Sequence, residues 1–275
     1  MRLILITILA LIAFAANSIL VRIALEHEQI GPGAFAAVRL VSGAMMLGVL
    51  VALRGGVRGM IGHGSAYSAT ALFVYAVAFS FAYVTLDTGT GALILFGGVQ
   101  VTMFFGAVVM GERPSRARWI GALVGLSGLA IMFGPTAGKP DLLGALLMSI
   151  SALGWGVYSL LGRRVSVPLE ATAANFLIAA PFGLLVWWLF PVGAEISRSG
   201  VLLAVASGAL ASGIGYAIWY SVLPQLKSTT AAIVQLSVPV IALGGGVILL
   251  GEALTWAFAL SAPLIILGVL IAIRR

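Results

Sequence analysis

Few polar groups interrupt the apolar stretches of this chain, and those few are the ones that could do chemistry. They are the amides Asn17, Gln100, Asn175 and Gln235, the hydroxyl of Ser237, and the rings of Tyr75, Tyr158, Tyr216, Trp155 and Trp219. Amides donate and accept hydrogen bonds, so they can hold either end of a zwitterion. They also bind helices together, at about 0.6–2 kcal/mol per contact. A Tyr hydroxyl in apolar surroundings wants a partner. Spacing sets the rings on helix faces: Ser151, Trp155, Tyr158 and Ser159 share one, Tyr216, Trp219 and Tyr220 a second, and Tyr75, Phe79 and Tyr83 a third. Such faces either pack helices or line a cavity for a solute with one polar and one apolar end.

Arg39 is the one charge well inside an apolar stretch. A central Arg costs roughly 2.5–3.5 kcal/mol on insertion scales. Snorkelling toward the nearer end would lower that cost. A structural role is expected for it, with attraction of a solute carboxylate as the alternative. No Asp or Glu is so placed, which argues against carboxylate-based proton transfer. Gly125-Leu126-Ser127-Gly128 matches a serine-nucleophile pattern, as in an intramembrane protease. A serine nucleophile needs a base within reach. His27 and His63 lie near stretch ends and neither follows Ser127. The expected role of Gly121, Gly125 and Gly128 is helix packing. There is no cysteine, and no metal, phosphate-loop or cofactor motif, so no cofactor is expected.

The elements that hold these residues follow from composition. Of 275 residues, 61% are hydrophobic and 8% charged, and mean hydropathy is +1.17. A soluble domain carries roughly a quarter charged residues, so this chain cannot cover a surface facing water. Ten apolar segments run over about 3–24, 32–53, 64–85, 88–110, 117–134, 141–162, 169–190, 199–223, 228–250 and 255–273. Each is long enough to cross about 30 Å as a helix. The first is too long for the apolar core of a signal peptide, so it is expected to be retained. The fold class is therefore all-α, a polytopic membrane protein of ten transmembrane helices. The net charge of +7 does not point to nucleic acid, because the basic residues are scattered at helix ends. Of the 15 Lys and Arg, eleven fall on the side of both termini, three (Arg22, Lys139, Arg198) on the other, and Arg39 within a span. The positive-inside rule then predicts cytoplasmic termini in a bacterial-type inner membrane.

The two halves align. At an offset of 141, Ser18 meets Ser159, Tyr75 meets Tyr216 and Ser80 meets Ser221. At 140, Thr90 meets Thr230, and Gly111-Glu112 meets Gly251-Glu252. Residues 1–137 and 138–275 are thus expected to be two five-helix repeats. Five is odd, so the second enters the membrane inverted, the architecture of many secondary transporters. Paired interruptions point to the moving part: Gly97 and Gly98 in span 4 stand opposite Pro239 in span 9, whose repeat partner is Val99. Both helices are expected to bend there, as a hinge or gate.

These residues resemble the drug/metabolite transporter superfamily, in particular its ten-helix EamA-type exporters. The resemblance spans the whole chain. It is carried by Gly111-Glu112-Arg113-Pro114 and Gly251-Glu252-Ala253-Leu254, by Gly31-Pro32 followed by Arg39, and by Gly154-Trp155-Gly156-Val157-Tyr158-Ser159. Within the superfamily the chain is most similar to bacterial aromatic-amino-acid exporters. That implies a central cavity lined by helices 1–4 and 6–9, with helices 5 and 10 outside it. Phe14 stands where many relatives have Trp. The cavity is expected to take in Phe14, Asn17, Tyr75, Phe79, Gln100, Trp155, Tyr158, Tyr216, Trp219, Gln235 and Ser237. The expected function is alternating-access export of small amphipathic metabolites, neutral or aromatic amino acids foremost. A proton-driven multidrug efflux pump is the alternative, and a protease at Ser127 or a channel is disfavoured. The expected partners are a small-molecule substrate and membrane lipid, with no nucleic acid, in a monomer or weak homodimer.

Overall fold

The structure is a computed structural model that describes residues 2–26, 29–86, 88–134, 141–191, 196–250 and 255–274. Nearly all of these are helical, and no strand occurs among them. Nine helical spans among the described residues are long and apolar enough to cross a membrane, and Ala66–Ala82 is a shorter apolar helix beside them. In chain order the helices are α1 (Arg2–Glu26), α2 (Pro32–Leu53), α3 (Ala66–Ala82), α4 (Thr88–Val109), α5 (Arg116–Phe133), α6 (Leu142–Gly162) and α7 (Pro168–Leu189). Span 8 is α8 (Arg198–Ala206), a π-helical segment Ser207–Ile214 and α9 (Gly215–Val222). Span 9 is α10 (Ser228–Gln235) and α11 (Ser237–Leu250), and α12 is Trp256–Ile273.

Local chemistry sets the helix ends. Pro32 and Pro168 open α2 and α7 at the position where a missing N–H costs nothing. The Asp141 and Ser197 side chains accept from Gly144 N at 2.8 Å and Gly200 N at 2.9 Å, capping α6 and α8. Gly111 ends α4 with φ +90°. Gly111 N bonds Val108 O, and Glu112 N bonds Ala107 O at 2.8 Å. This paired closure requires a left-handed residue, which glycine adopts without strain.

The helices alternate in direction, as the loops that meet make plain. At the end holding the first residue of α1, Glu112 after α4 reaches the start of α10, and Arg163 after α6 donates to Leu226 O at 2.7 Å. At the far end, Ser197 N donates to Gln29 O at 2.9 Å. The broadest pairings are α5 with α12, α2 with α7, and α3 with α6. Glycines let α5 and α12 touch: a Cβ on Gly268 would lie 2.6 Å from Gly121 O and 2.7 Å from Gly125 N. Span 4 meets span 9 through α10 and scarcely through α11, so the two separate toward the far end.

Span 4 differs from expectation. Gly97 and Gly98 do not interrupt it, and α4 runs unbroken from Thr88 to Val109. Both glycines keep their backbone donors, and Gly98 instead lets α4 approach α6, where an added Cβ would sit 2.7 Å from the Ala152 methyl. Span 9 does break, at Leu236. Pro239 lacks the N–H that would bond the carbonyl of Gln235, and its ring crowds that carbonyl. The Gly251–Leu254 motif lies outside the described residues.

Candidate functional site

Helices 1, 3, 4 and 6 and spans 8 and 9 surround a central cavity with about 460 Å³ of empty space. Its wall is Phe14, Asn17, Ser18, Tyr75, Phe79, Leu95, Phe96, Val99, Trp155, Tyr216, Gln235 and Val238. The cavity is narrow, with room for only a few waters.

Trp155 is the hub of an aromatic cluster. Its ring centroid lies 5.3 Å from Phe14, 5.1 Å from Tyr75, 4.8 Å from Tyr216 and 6.0 Å from Tyr158. Phe14 meets Trp155 and Tyr216 edge to face, at interplanar angles of 89° and 88°. These are favoured ring geometries, each worth about 0.5–1.5 kcal/mol beyond burial. The indole N–H of Trp155 donates to Gln235 Oε1 at 2.7 Å. Gln235 Nε2 in turn donates to Met103 Sδ at 3.0 Å. One amide thus joins α6, α10 and α4, immediately before the break in span 9.

Arg39 lies behind this wall and is 1% exposed. It does not snorkel toward the membrane surface. Its Nη2 donates to the hydroxyls of Tyr75 at 2.9 Å and Tyr216 at 3.0 Å, and its Nε to Ser212 Oγ at 3.0 Å. The π-helical segment makes this possible. A π turn adds a residue and re-registers everything after it. Here it delivers Ser207 to Asn17 Oδ1 at 2.6 Å, Ser212 to Arg39, and Tyr216 to the cavity. Gly208, in the same segment, lies against the Arg39 backbone, where a Cβ would overlap Ser42 Oγ and the Arg39 carbonyl.

An EamA-like transporter family model matches residues 1–134 and again 142–274. The chain belongs to this family, within the drug/metabolite transporter superfamily. This EamA transporter is 49% identical over 261 residues to the uncharacterized protein PA1977 of Pseudomonas aeruginosa, covering 92% of this chain and 88% of that one. It is 35% identical over 128 residues to the aromatic amino acid exporter YddG of Ancylobacter novellus, covering 42% and 43% of the two chains. It is 24% identical over 201 residues to a probable amino-acid metabolite efflux pump of Salmonella typhimurium, covering 68% and 67%. A solved crystal structure superposes with a TM-score of 0.85 over 99% of this chain and 97% of that one, at 22% identity, which speaks to the fold alone. The chain is therefore a multi-pass membrane transporter.

In this transporter seven of the expected residues meet at the cavity: Phe14, Asn17, Tyr75, Phe79, Trp155, Tyr216 and Gln235. Four sit elsewhere. Trp219 is 0% exposed and packs behind Phe14 at 5.6 Å. Tyr158 meets Tyr220 edge to face at 5.2 Å beside a separate small pocket of about 190 Å³. Gln100 is buried away from the cavity wall, and neither polar atom of its amide has a partner among the described residues. Ser237 is buried at the start of α11. Asn175 accepts from Ser65 N at 3.0 Å, tying α7 to the start of α3. Sequence reading missed Ser18 at this wall, and also Leu95, Phe96, Val99 and Val238. Only Ser18 carried a signal, as the repeat partner of Ser159. Ser127 donates to Leu123 O at 2.9 Å on an exposed face, with no base beside it among the described residues. His63 is engaged by Glu170 at 3.2 Å.

Proposed function

We propose that this protein exports small amphipathic metabolites, neutral or aromatic amino acids foremost, by alternating access through the central cavity. The observation that carries the reading is the cavity wall itself. Rings of Phe14, Tyr75, Phe79, Trp155 and Tyr216 offer stacking surface, and the Asn17 and Gln235 amides offer donors and acceptors. The YddG likeness agrees with that wall.

Two repeats, 1–137 and 138–275, would rock against each other. Their helix pairings support this, because exchanging the halves maps α2–α7 and α5–α12 onto themselves and maps α3–α6 onto the contact of α1 with span 8. Spans 4 and 9 touch at the end holding the first residue of α1 and part at the other. With cytoplasmic termini in an inner membrane, that arrangement closes the cytoplasmic route and leaves the outer one to widen. Moving the cargo inward-to-outward requires the Trp155–Gln235–Met103 contact and the Glu112 contact to open in turn. The hinge falls at Leu236, set by Pro239, while Gly98 allows α4 to slide on α6. No carboxylate occupies mid-span, so movement down a gradient or by exchange is the simplest energetics.

The test is uptake into proteoliposomes of tryptophan, phenylalanine, threonine, a quaternary-ammonium drug and a sugar phosphate, with and without a pH gradient. Saturable uptake of the neutral amino acids, unchanged by the gradient, is expected. Uptake of the drug alone, driven by protons, would overturn both substrate and energetics.

A further inference from the structure

Arg39 is 1% exposed in a span, yet all three of its hydrogen bonds go to neutral hydroxyls, those of Ser212, Tyr75 and Tyr216. These groups solvate the guanidinium without cancelling its charge. Its Nη1 has no partner among the described residues. The chain has eight Asp and Glu, all at or near span ends in the sequence, and Arg39 has no ion pair among the described residues. Tying helices together does not need a cation, since a neutral side chain could make such bonds with a far smaller desolvation penalty.

The charge faces the cavity wall. Arg39 Cζ lies 5.1 Å from the centroid of the Tyr75 ring and 5.9 Å from that of Phe79. Both rings, and Tyr216, line the cavity. Nη2 is shared between Tyr75 and Tyr216, which are equivalent positions of the two halves. A hydroxyl that accepts from a guanidinium becomes a better donor, because hydrogen bonds in sequence polarise one another. Nothing on the cavity wall is anionic: its other polar groups are the Asn17 and Gln235 amides, the Ser18 hydroxyl and the Trp155 indole N–H. In a low-dielectric site an uncancelled cation attracts an anion strongly and repels another cation.

We infer that the cavity recognises its cargo by a single carboxylate, received by the Tyr75 and Tyr216 hydroxyls in the field of Arg39, and that the cargo's amino group is dispensable. This rests on the cavity being the transport site proposed above. Arg39 is then a positioning residue, which fixes and polarises the two phenols. The cargo class widens from amino acids to apolar and aromatic monocarboxylates, and excludes the corresponding amines and amides.

The experiment is a binding titration of the purified full-length protein, near neutral pH, with four ligands of one shape. Phenylalanine carries both charges, 3-phenylpropionate only the carboxylate, phenethylamine only the ammonium, and phenylalaninamide has its carboxylate neutralised. The first two are expected to bind within about threefold of each other and the last two at least about tenfold more weakly. In Arg39→Gln the four should converge, and in Tyr75→Phe the gap should narrow, a change of ranking that a purely structural role would not produce. Equal binding of all four to the wild type, or failure of 3-phenylpropionate where phenylalanine binds, overturns the carboxylate rule and leaves the cargo reading standing. Binding of none overturns both. The wild-type panel decides even where Arg39→Gln does not fold.

Discussion

Trp155→Phe keeps a ring at the hub of the cavity and removes one N–H. That N–H donates to Gln235 Oε1 at 2.7 Å, and Trp155 and Gln235 are 6% and 4% exposed. The orphaned amide oxygen costs about 1–3 kcal/mol in a buried site. The smaller ring also gives up part of its contacts with Phe14, Tyr75, Tyr158 and Tyr216. Each such pair is worth about 0.5–1.5 kcal/mol when intact. The expected total is about 2–4 kcal/mol, of which the hydrogen bond is the separable part. Gln235→Leu alone orphans the indole N–H instead, again at about 1–3 kcal/mol. In the double variant neither group is left unpaired, so its loss should fall short of the sum of the single losses by about 1–2 kcal/mol, within the usual range for residues in contact. The assay is thermal unfolding of the full-length protein in detergent, paired with initial rates of phenylalanine uptake into proteoliposomes. Losses that add to within about 0.5 kcal/mol would refute the claim that these two residues act as a unit.

Three further outcomes follow from the packing. Gly208→Val should remove most folded protein from the membrane, judged by size-exclusion profile, because the new side chain overlaps Ser42 Oγ and the Arg39 carbonyl where span 8 crosses α2. Glu112→Ala should loosen the start of α10, where the carboxylate accepts from Ser228 N at 3.0 Å and from Thr229 Oγ1 at 2.7 Å. A lost cap of about 1–2 kcal/mol raises the opened population about 5–30-fold, read as maleimide labelling of Ser228→Cys, the sole cysteine in an otherwise cysteine-free chain. Ser127→Ala should leave transport unchanged in the uptake assay, because its hydroxyl only bonds back to Leu123 O.

The sequence made the class and the wall's aromatic residues legible, for a physical reason. In a chain with 8% charged residues, a Tyr, Trp or amide in mid-span is a costly polar group in apolar surroundings, so it is conspicuous. Asn17, Tyr75, Trp155, Tyr216 and Gln235 stood out by type, Phe79 by its spacing from Tyr75, and Phe14 by the family resemblance, and all seven converge on one cavity. Leu95, Phe96, Val99 and Val238 did not stand out, because helices apolar all round show no stripe that separates cavity from lipid. The Ser207–Asn17 and Arg39–Ser212 contacts were hidden by a different effect. Ser207 and Ser212 are five residues apart, which places them on different faces of an α-helix and together on a π turn. No rule of α-helical spacing would have joined Ser212 to Arg39.

The contrast between spans 4 and 9 shows how far a residue type fixes geometry in a membrane. Glycine permits a bend and proline compels a lost hydrogen bond. Gly97 and Gly98 keep their donors, and in α4 Gly98 serves close approach to Ala152, whereas a Cβ on Gly97 would meet only Leu129, at 3.9 Å. Thr102 Oγ1 donates to Gly98 O at 2.7 Å, a contact that leaves the α4 ladder in place. Pro239 has no donor to keep, and the helix parts at Leu236, next to the amide that holds Trp155. The two halves therefore start from matching positions with unequal means of moving. Span 9 carries its break at rest, so the first motion away from this conformation should pivot on Leu236 and strain the Trp155–Gln235 bond before α4 moves at all. Pro239→Ala restores the missing N–H and should heal the break. It should slow phenylalanine uptake while raising the unfolding temperature, and uptake at the wild-type rate would show that the pivot lies elsewhere.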